Sequence, residues 1–432
     1  MGSYRFQPML GFEQLYTNNT TIAFYEKMFS ELNLSEIEEF PRKSDKSTKF
    51  EGRKPVSRHN LFRAFIVMKT QRFEFVTRLL DYLENNVAVA LVCGFENGTI
   101  PEKDVFYNFL KELPKIALDG IMTANTETMV ELGLVDLQNL IEDSTPIFAN
   151  TKQNNPKSFT KNRFSKAKQP KADSDCRLGV HSASNDSTNK NYEFYWGYKD
   201  HILVDAKHGL PVANLTLPAN ITDANAGEIL INKTNNILNL KGNVKNLICD
   251  KGFDSNAFYE FVKNTISANV IAPLKTNAKI ALFDGFIPTC QAGLTMHKDG
   301  HLYRKSGIRF KFSCPFKLSK SKSCPCQNPN FDKPAKNKGC IKWMCVKATN
   351  LRNSTDRASP VFKALYAKRT AIERYNSRFK FLANEQAYTR NINSISTIIA
   401  ISHISLQLTA IISAKTNNFK LIRSLSALKK IA

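Results

Sequence analysis

Apolar residues recur at mixed helical spacing in the first third of the chain. Ile22–Phe29, Leu61–Met68 and Phe75–Leu83 each predict a helix. Ser57 is placed to cap the second of these. Thr99 and Glu102 have the spacing of a capping box ahead of Val105–Leu110. Residues 1–130 therefore read as a helical domain. From about residue 137 the texture changes to short apolar runs that end in Asp or Gly. Leu137–Ile141 runs up to Asp143, and Glu193–Val204 and Leu210–Leu217 form two strands joined by a turn over Asp205–Gly209. Asp223–Leu238 reads as a helix. Val244–Cys249 is a strand that stops at Asp250-Lys251-Gly252, with Asp254 placed to cap the helix after it, and Asn269–Leu274 is a further strand. The order β-β-β-α-β-α-β predicts an α/β sheet with an antiparallel, mixed beginning. Thr397–Ala414 nears the length of a membrane span. Ser402, His403, Ser405, Gln407 and Thr409 interrupt it, so a buried packing helix is expected and no membrane partner.

Charge changes this picture of an ordinary folded chain. The 432 residues carry a net charge of +23, which favours a polyanionic partner, nucleic acid first. Residues 151–172 hold seven Lys or Arg and no acid. Residues 302–347 hold twelve against the single acid Asp332, together with five cysteines. Both read as basic excursions able to lie along DNA, or as solvated loops. Met1–Phe12 lacks the charge pattern of a signal peptide, and nine cysteines are an odd number for a disulfide framework. A cytoplasmic, nucleoid-associated protein with reduced thiols is expected.

The most informative pattern is Y-x2-R-x3-E-x6-K, formed by Tyr366, Arg369, Glu373 and Lys380. On one continuous helix at about 100° per residue these four fall within roughly 60° of one another. A carboxylate flanked by two cations and a phenol suits a metal ion and phosphates better than a solvated face does. Asp250 ends an apolar strand beside Gly252, where α/β sheets gather ligands. Asp143 follows another such run. Three carboxylates from two strand ends and a helix can hold two hard cations. Asp136 and Glu142 compete with Asp143 as the first acid, and Asp223 reads as the N-cap of its helix.

With those residues in view, the chain resembles bacterial insertion-sequence DDE transposases, in the branch marked by the Y-x2-R-x3-E-x6-K signature. The resemblance rests on Asp143-Ser144-Thr145-Pro146-Ile147, Gly197-Tyr198-Lys199-Asp200-His201, Asp250-Lys251-Gly252-Phe253-Asp254 and the signature itself. Gly52-Arg53-Lys54-Pro55 and the helices after it look like the family's leading domain. It implies a ribonuclease H-like mixed-sheet catalytic core at 131–275, completed by helices at 356–415. A helical N-terminal domain (1–130), a basic Cys-rich insertion (276–355) and a basic tail (416–432) would accompany it. It implies Asp143, Asp250 and Glu373 as catalytic ligands of two Mg2+ or Mn2+ ions, with Tyr366, Arg369 and Lys380 positioning transposon-end phosphates. The partners implied are double-stranded DNA, as transposon ends and target, and a second copy of the chain on DNA.

The resemblance leaves open a nuclease of the same fold without strand transfer, or a domesticated DNA-binding protein. An intrahelical pair with Glu373 is the alternative role for Arg369 and Lys380. The cysteines of the insertion (Cys290, Cys314, Cys324, Cys326, Cys340, Cys345), near His297 and His301, make a candidate structural Zn2+ site. Its ligands would be Cys314, Cys324, Cys326 and Cys340, with unligated thiols as the alternative. His201 and His403 read as structural or surface residues.

Overall fold

The computed structural model describes residues 19–35, 37–41, 55–155, 157–158, 164–182, 192–275, 283–284, 287–304, 307–318, 323–326, 331, 340–345 and 351–431. Met1–Phe12, Gly52–Lys54, Asp332 and parts of both basic stretches lie outside these. The chain divides into two compact units. The first comprises Met1–Phe253, Phe261–Ala272 and Pro360–Ala432. The second comprises Asp254–Glu260 and Pro273–Ser359.

Among the described residues the first unit begins with six α-helices: α1 (Thr20–Ser30), α2 (Arg58–Thr70), α3 (Val76–Asn85), α4 (Val87–Cys93), α5 (Lys103–Glu112) and α6 (Lys115–Glu131). Ser57 caps α2 as expected, accepting from the His59 amide. The expected capping box at Thr99 does not form. Pro101 disfavours helix in the residue before it, the chain stays extended at Thr99, and α5 starts only after Glu102, whose side chain makes no cap bond.

Next come β1 (Asn139–Phe148), β2 (Arg177–Ser182), β3 (Tyr192–Asp205), β4 (Pro211–Pro218), α7 (Asp223–Leu238), β5 (Asn246–Cys249), α8 (Asn256–Ile266, its first five residues assigned to the second unit) and β6 (Asn269–Ile271). The sheet runs β2-β3-β1-β5-β6, with β4 also on β3. β1 is antiparallel to β3 and parallel to β5, and β5 is parallel to β6. This is the mixed α/β sheet that the apolar runs predict. Two details differ. β1 does not stop before Asp143 but continues to Phe148, because Ile147 supplies a further buried apolar position on the same face. Asp254 does not cap α8: Ser255 accepts from the Phe258 amide instead, and Asp254 is engaged elsewhere.

The unit ends with α11 (Pro360–Ala367), α12 (Thr370–Phe381), α13 (Ile392–Lys415) and α14 (Leu425–Ile431); α9 and α10 belong to the second unit. α13 is the buried packing helix expected, set against α2, α5, α6 and β4. Its polar interruptions are satisfied internally. Ser405, Thr409 and Ser413 each donate to the carbonyl four residues back at 2.8 Å. Gln407 donates to the Met122 and Pro211 carbonyls and to Thr126 Oγ1, each at 3.1 Å.

In the second unit β7 (Phe283–Asp284) pairs with β8 (Ile287–Pro288). A separate sheet has the order β11-β10-β9, from β9 (His297–Arg304), β10 (Gly307–Ser313) and β11 (Ile341–Cys345). Among its described residues are also the short helices α9 (Pro315–Leu318) and α10 (Leu351–Ser354). Cys290, Met296 and Phe312 form its small core. Asp254 accepts from Arg352 through both oxygens, at 2.6 and 2.5 Å, and from the Lys275 amide at 3.0 Å.

Candidate active site on the inner strands of the mixed sheet

The register of the sheet brings the first two acids together. β5 pairs with β1 from Asn139↔Asn246 to Glu142↔Cys249, so Asp143 and Asp250 occupy the next position on adjacent strands. Strands lie about 4.8 Å apart, which puts the two carboxylates side by side. Burial pushes the Asp143 carboxyl up to about 6; Arg369 opposes the rise and Asp250 adds to it.

Helices α11 and α12 supply the rest. The Y-x2-R-x3-E-x6-K segment is not one continuous helix. It is two helices joined at Lys368–Arg369, where three-residue bonds (Arg369 N to Tyr366 O, Ile372 N to Arg369 O) tighten the turn. Arg369 reaches the sheet from this turn. Its Nη1 donates to Glu373 Oε1 at 2.9 Å and its Nη2 to Asp143 Oδ2 at 3.3 Å. Asn376 Nδ2 donates to the same Asp143 oxygen at 3.4 Å. Burial raises the Tyr366 hydroxyl, Arg369 opposes this, and Asp250, Glu373 and Asp143 act on it from nearby. Lys380 is not brought to this cluster: it is ion-paired with Glu385 at 3.2 Å, two turns further along α12.

A fourth carboxylate faces the site from the other side of the sheet. Thr222, not Asp223, caps α7, accepting from the Asn225 amide. That frees the Asp223 carboxylate to accept from Lys199 Nζ at 2.9 Å and Ser144 Oγ at 3.0 Å. Gly252 separates it from Asp250. A Cβ there would stand 2.7 Å from Asp250 Oδ1 and 3.1 Å from Asp223 Oδ2. Sequence reasoning assigned no role to Lys199 or Asn376, and the capping preference of Thr222 was the signal available for Asp223. Strand alternation sends Glu142 to the α7 face, away from Asp143. There it packs on Gly227, and burial, with Asp223 and Asp143 nearby, holds its carboxyl well above the usual range. Asp136 accepts from the Gln138 amide in a turn. His201 and His403 are both fully buried, and His403 pairs with Asp200.

Among the described residues no three ligating side chains close around a common point. For the carboxylates the cause is visible. The Arg369 guanidinium bridges Asp143 and Glu373, so a cation already stands between them, and the donor set fits hard divalent ions. Of the four expected zinc ligands, Cys324 neighbours Cys326, and Cys326 and Cys340 pack on the core that holds Cys290; among the described residues they do not form a metal-ligating group. Cys326 Sγ lies 3.7 Å from Cys290 Sγ. Cys314 is buried outside that cluster, because it follows β10 while Cys290 and Cys326 lie on loops.

Residues 143–408 match the family described as "Transposase DDE domain", a span that begins at Asp143 and takes in Asp250, Arg369 and Glu373. The chain belongs to the DDE transposase family. A cryo-EM structure of the piggyBac transposase synaptic complex with hairpin DNA overlaps 99% of this transposase and 82% of that chain, at 12% identity and a TM-score of 0.38. The transposase matches no curated protein.

Proposed function

We propose that this protein is an insertion-sequence transposase that cuts the ends of its element and joins the freed 3′-hydroxyl to target DNA. The observation that carries the reading is the bridge of Arg369 between Asp143 and Glu373, beside Asp250, on the inner strand pair β1–β5 of a mixed sheet. Asp143, Asp250 and Glu373 would hold two Mg2+ or Mn2+ ions. When bound, such ions activate the attacking oxygen and stabilise the leaving one. The chain's own part is positional. β1 and β5 fix two carboxylates in register, and α12 brings the third from the opposite wall. Once the carboxylates are neutralised, Arg369 is free to hold a phosphate through two parallel N–H bonds. Tyr366 stands beside it. Lys380 would reach DNA by exchanging Glu385 for a phosphate. The net charge of +23 supports double-stranded DNA as the partner, and joining two ends calls for a second copy of the chain on DNA. A bacterial cytoplasmic, nucleoid-associated setting goes with this reading.

The test is a strand-transfer assay on DNA bearing the inverted repeats that flank the gene. Mg2+-dependent cutting and joining, both abolished by Glu373→Gln, is the expected result. Cutting without joining would make the protein a nuclease. Binding without cutting would leave only a DNA-binding protein. Cutting and joining that survive Glu373→Gln would overturn the assignment of the site.

A further inference from the structure

A cavity of about 300 Å³ lies on the side of α11 and α12 turned away from the carboxylates. Its walls carry Lys207 and His208 from the turn between β3 and β4, Lys368 and Arg374 from the α11–α12 segment, and Arg423 from the C-terminal segment. Ala364, Ala367 and Ala371 line its floor without filling it. Lys207, Lys368, Arg374 and Arg423 are all exposed, and among the described residues none of the four has an ion-pair partner. The carboxylate of the β3–β4 turn, Asp205, is fully buried and committed to the turn itself: it accepts from the amides of Lys207, His208 and Leu210 at 3.0, 2.8 and 2.7 Å. Arg374 folds back along its own helix onto Thr370, with Nη2 at 3.1 Å from Oγ1, which keeps its charge at the rim.

Four fixed cations around one concavity repel one another, and a solvated surface would spread them or pair them with acids. The arrangement is stable in water but is completed by an anion with several acceptor oxygens. The cavity residues Thr370, Ala371 and Arg374 are centred roughly 140° around α12 from Arg369, Glu373 and Asn376. Helix and side chains span about 10 Å. An anion held here is therefore not the phosphate under attack.

We propose that this cavity is a second phosphate site that grips a phosphodiester of duplex DNA away from the cutting point. The duplex part of the proposal rests on the transposase reading above; the phosphate part rests on the cavity alone. The experiment compares the full-length protein with the double variant Arg374→Gln/Arg423→Gln, neither residue being part of the carboxylate site. Duplex affinity is measured by fluorescence anisotropy from low to moderate salt. Neutralising two cations should lower the slope of log K against log [salt] by about one to two units. Single-turnover cutting at saturating DNA should stay within about twofold. Inorganic sulfate should raise the melting temperature of the wild type more than that of the variant. An unchanged salt slope overturns the proposal for DNA, and if sulfate still separates the two proteins the cavity takes a free anion only. Equal sulfate responses together with equal slopes remove the site altogether. Should the wild type fail to cut with Mg2+, the transposase reading fails, while the slope comparison still decides the cavity.

Discussion

Glu373 reaches the sheet from α12, and what holds that helix in place can be measured. Tyr375, two residues on, is fully buried, and its hydroxyl bonds to His403 Nδ1 on α13. Burial raises the Tyr375 phenol well above its usual range, so it remains a donor and His403 Nδ1 accepts. The other ring nitrogen then carries the proton, which His403 Nε2 donates to Asp200 Oδ2 at 2.7 Å. Asp200 Oδ1 accepts from Asn214 Nδ2 at 2.9 Å and Thr216 Oγ1 at 3.0 Å. His403→Leu removes a bond to a charged acceptor, about 1.5–3 kcal/mol, and strands the Tyr375 hydroxyl for about 1–3 more. A loss of about 3–5 kcal/mol is expected. Tyr375→Phe removes one neutral bond and should cost about 1–2 kcal/mol. In the double variant no hydroxyl is left stranded, so the two costs should fall short of their sum by about 1–2 kcal/mol. Urea unfolding reads all four corners of the cycle, with Trp343→Phe in the background so that Trp196 on β3 reports alone. Strictly additive costs would refute the chain of bonds as drawn.

Other predictions follow from single positions. Gly252→Ala places a Cβ 2.7 Å from Asp250 Oδ1 and should reduce cutting at least tenfold with little change in melting temperature, both read on the same preparation. Gly197→Ala is the opposite case. Its Cβ would meet the backbone oxygen of Ile147 at 2.1 Å, and a loss of about 3 kcal/mol or more in urea unfolding is expected. Lys69 is fully buried on α2, and burial lowers its amine to about 7, with Glu74 opposing. The unfolded amine holds its proton up to about pH 10. Between these values the unfolded chain binds more protons, so stability should rise by about 2 kcal/mol from pH 7 to pH 9. Lys69→Met should flatten that rise, and an unchanged pH profile would show that Lys69 is not its source.

The sheet was legible because its strands alternate or run apolar, and the helix Asp223–Leu238 was legible to the residue. β2 was not: Arg177–Ser182 is a short mixed run that, among the described residues, pairs with the first half of β3 alone, and no local periodicity marks such a strand. Asp143 and Glu373 stand out in sequence by their neighbours, but the place of Asp143 inside β1 depends on where β5 stops pairing, which is a tertiary fact. Asp223 shows the limit most clearly. Thr and Asp are both good caps, and only the fold decides that Thr222 takes the role and leaves Asp223 to Lys199 and Ser144. The choice of zinc ligands meets a related limit. Cysteine spacing along a basic insertion does not say which thiols meet, and Cys290, remote in sequence, meets Cys326 while Cys314 does not.

The surplus of charge on α12 becomes intelligible once its sides are separated. One side carries Glu373 and Asn376, with Arg369 just ahead of the first turn, and balances the Asp143 carboxylate. A second carries Tyr375 and Phe379 into the core, where both rings stack on His403 and need no charge. The third carries Arg374, with Arg378 next to it, facing the turn of Gly209, whose carbonyl accepts from Arg378 Nη2 at 2.6 Å. A helix needing only a metal ligand would not keep uncompensated arginines on its far side. Burial lowers the Arg378 guanidinium to about 10, and Arg423 and Arg374 push it the same way against Tyr375 and Asp205. Arg423 and Arg374 thus add like-charge contributions at this surface, behind burial and opposed by Tyr375 and Asp205. Neutralising Arg374 or Arg423 alone should therefore leave the fold as stable or slightly more stable while weakening DNA binding. A variant that lost both stability and binding would point to a purely structural purpose for these side chains.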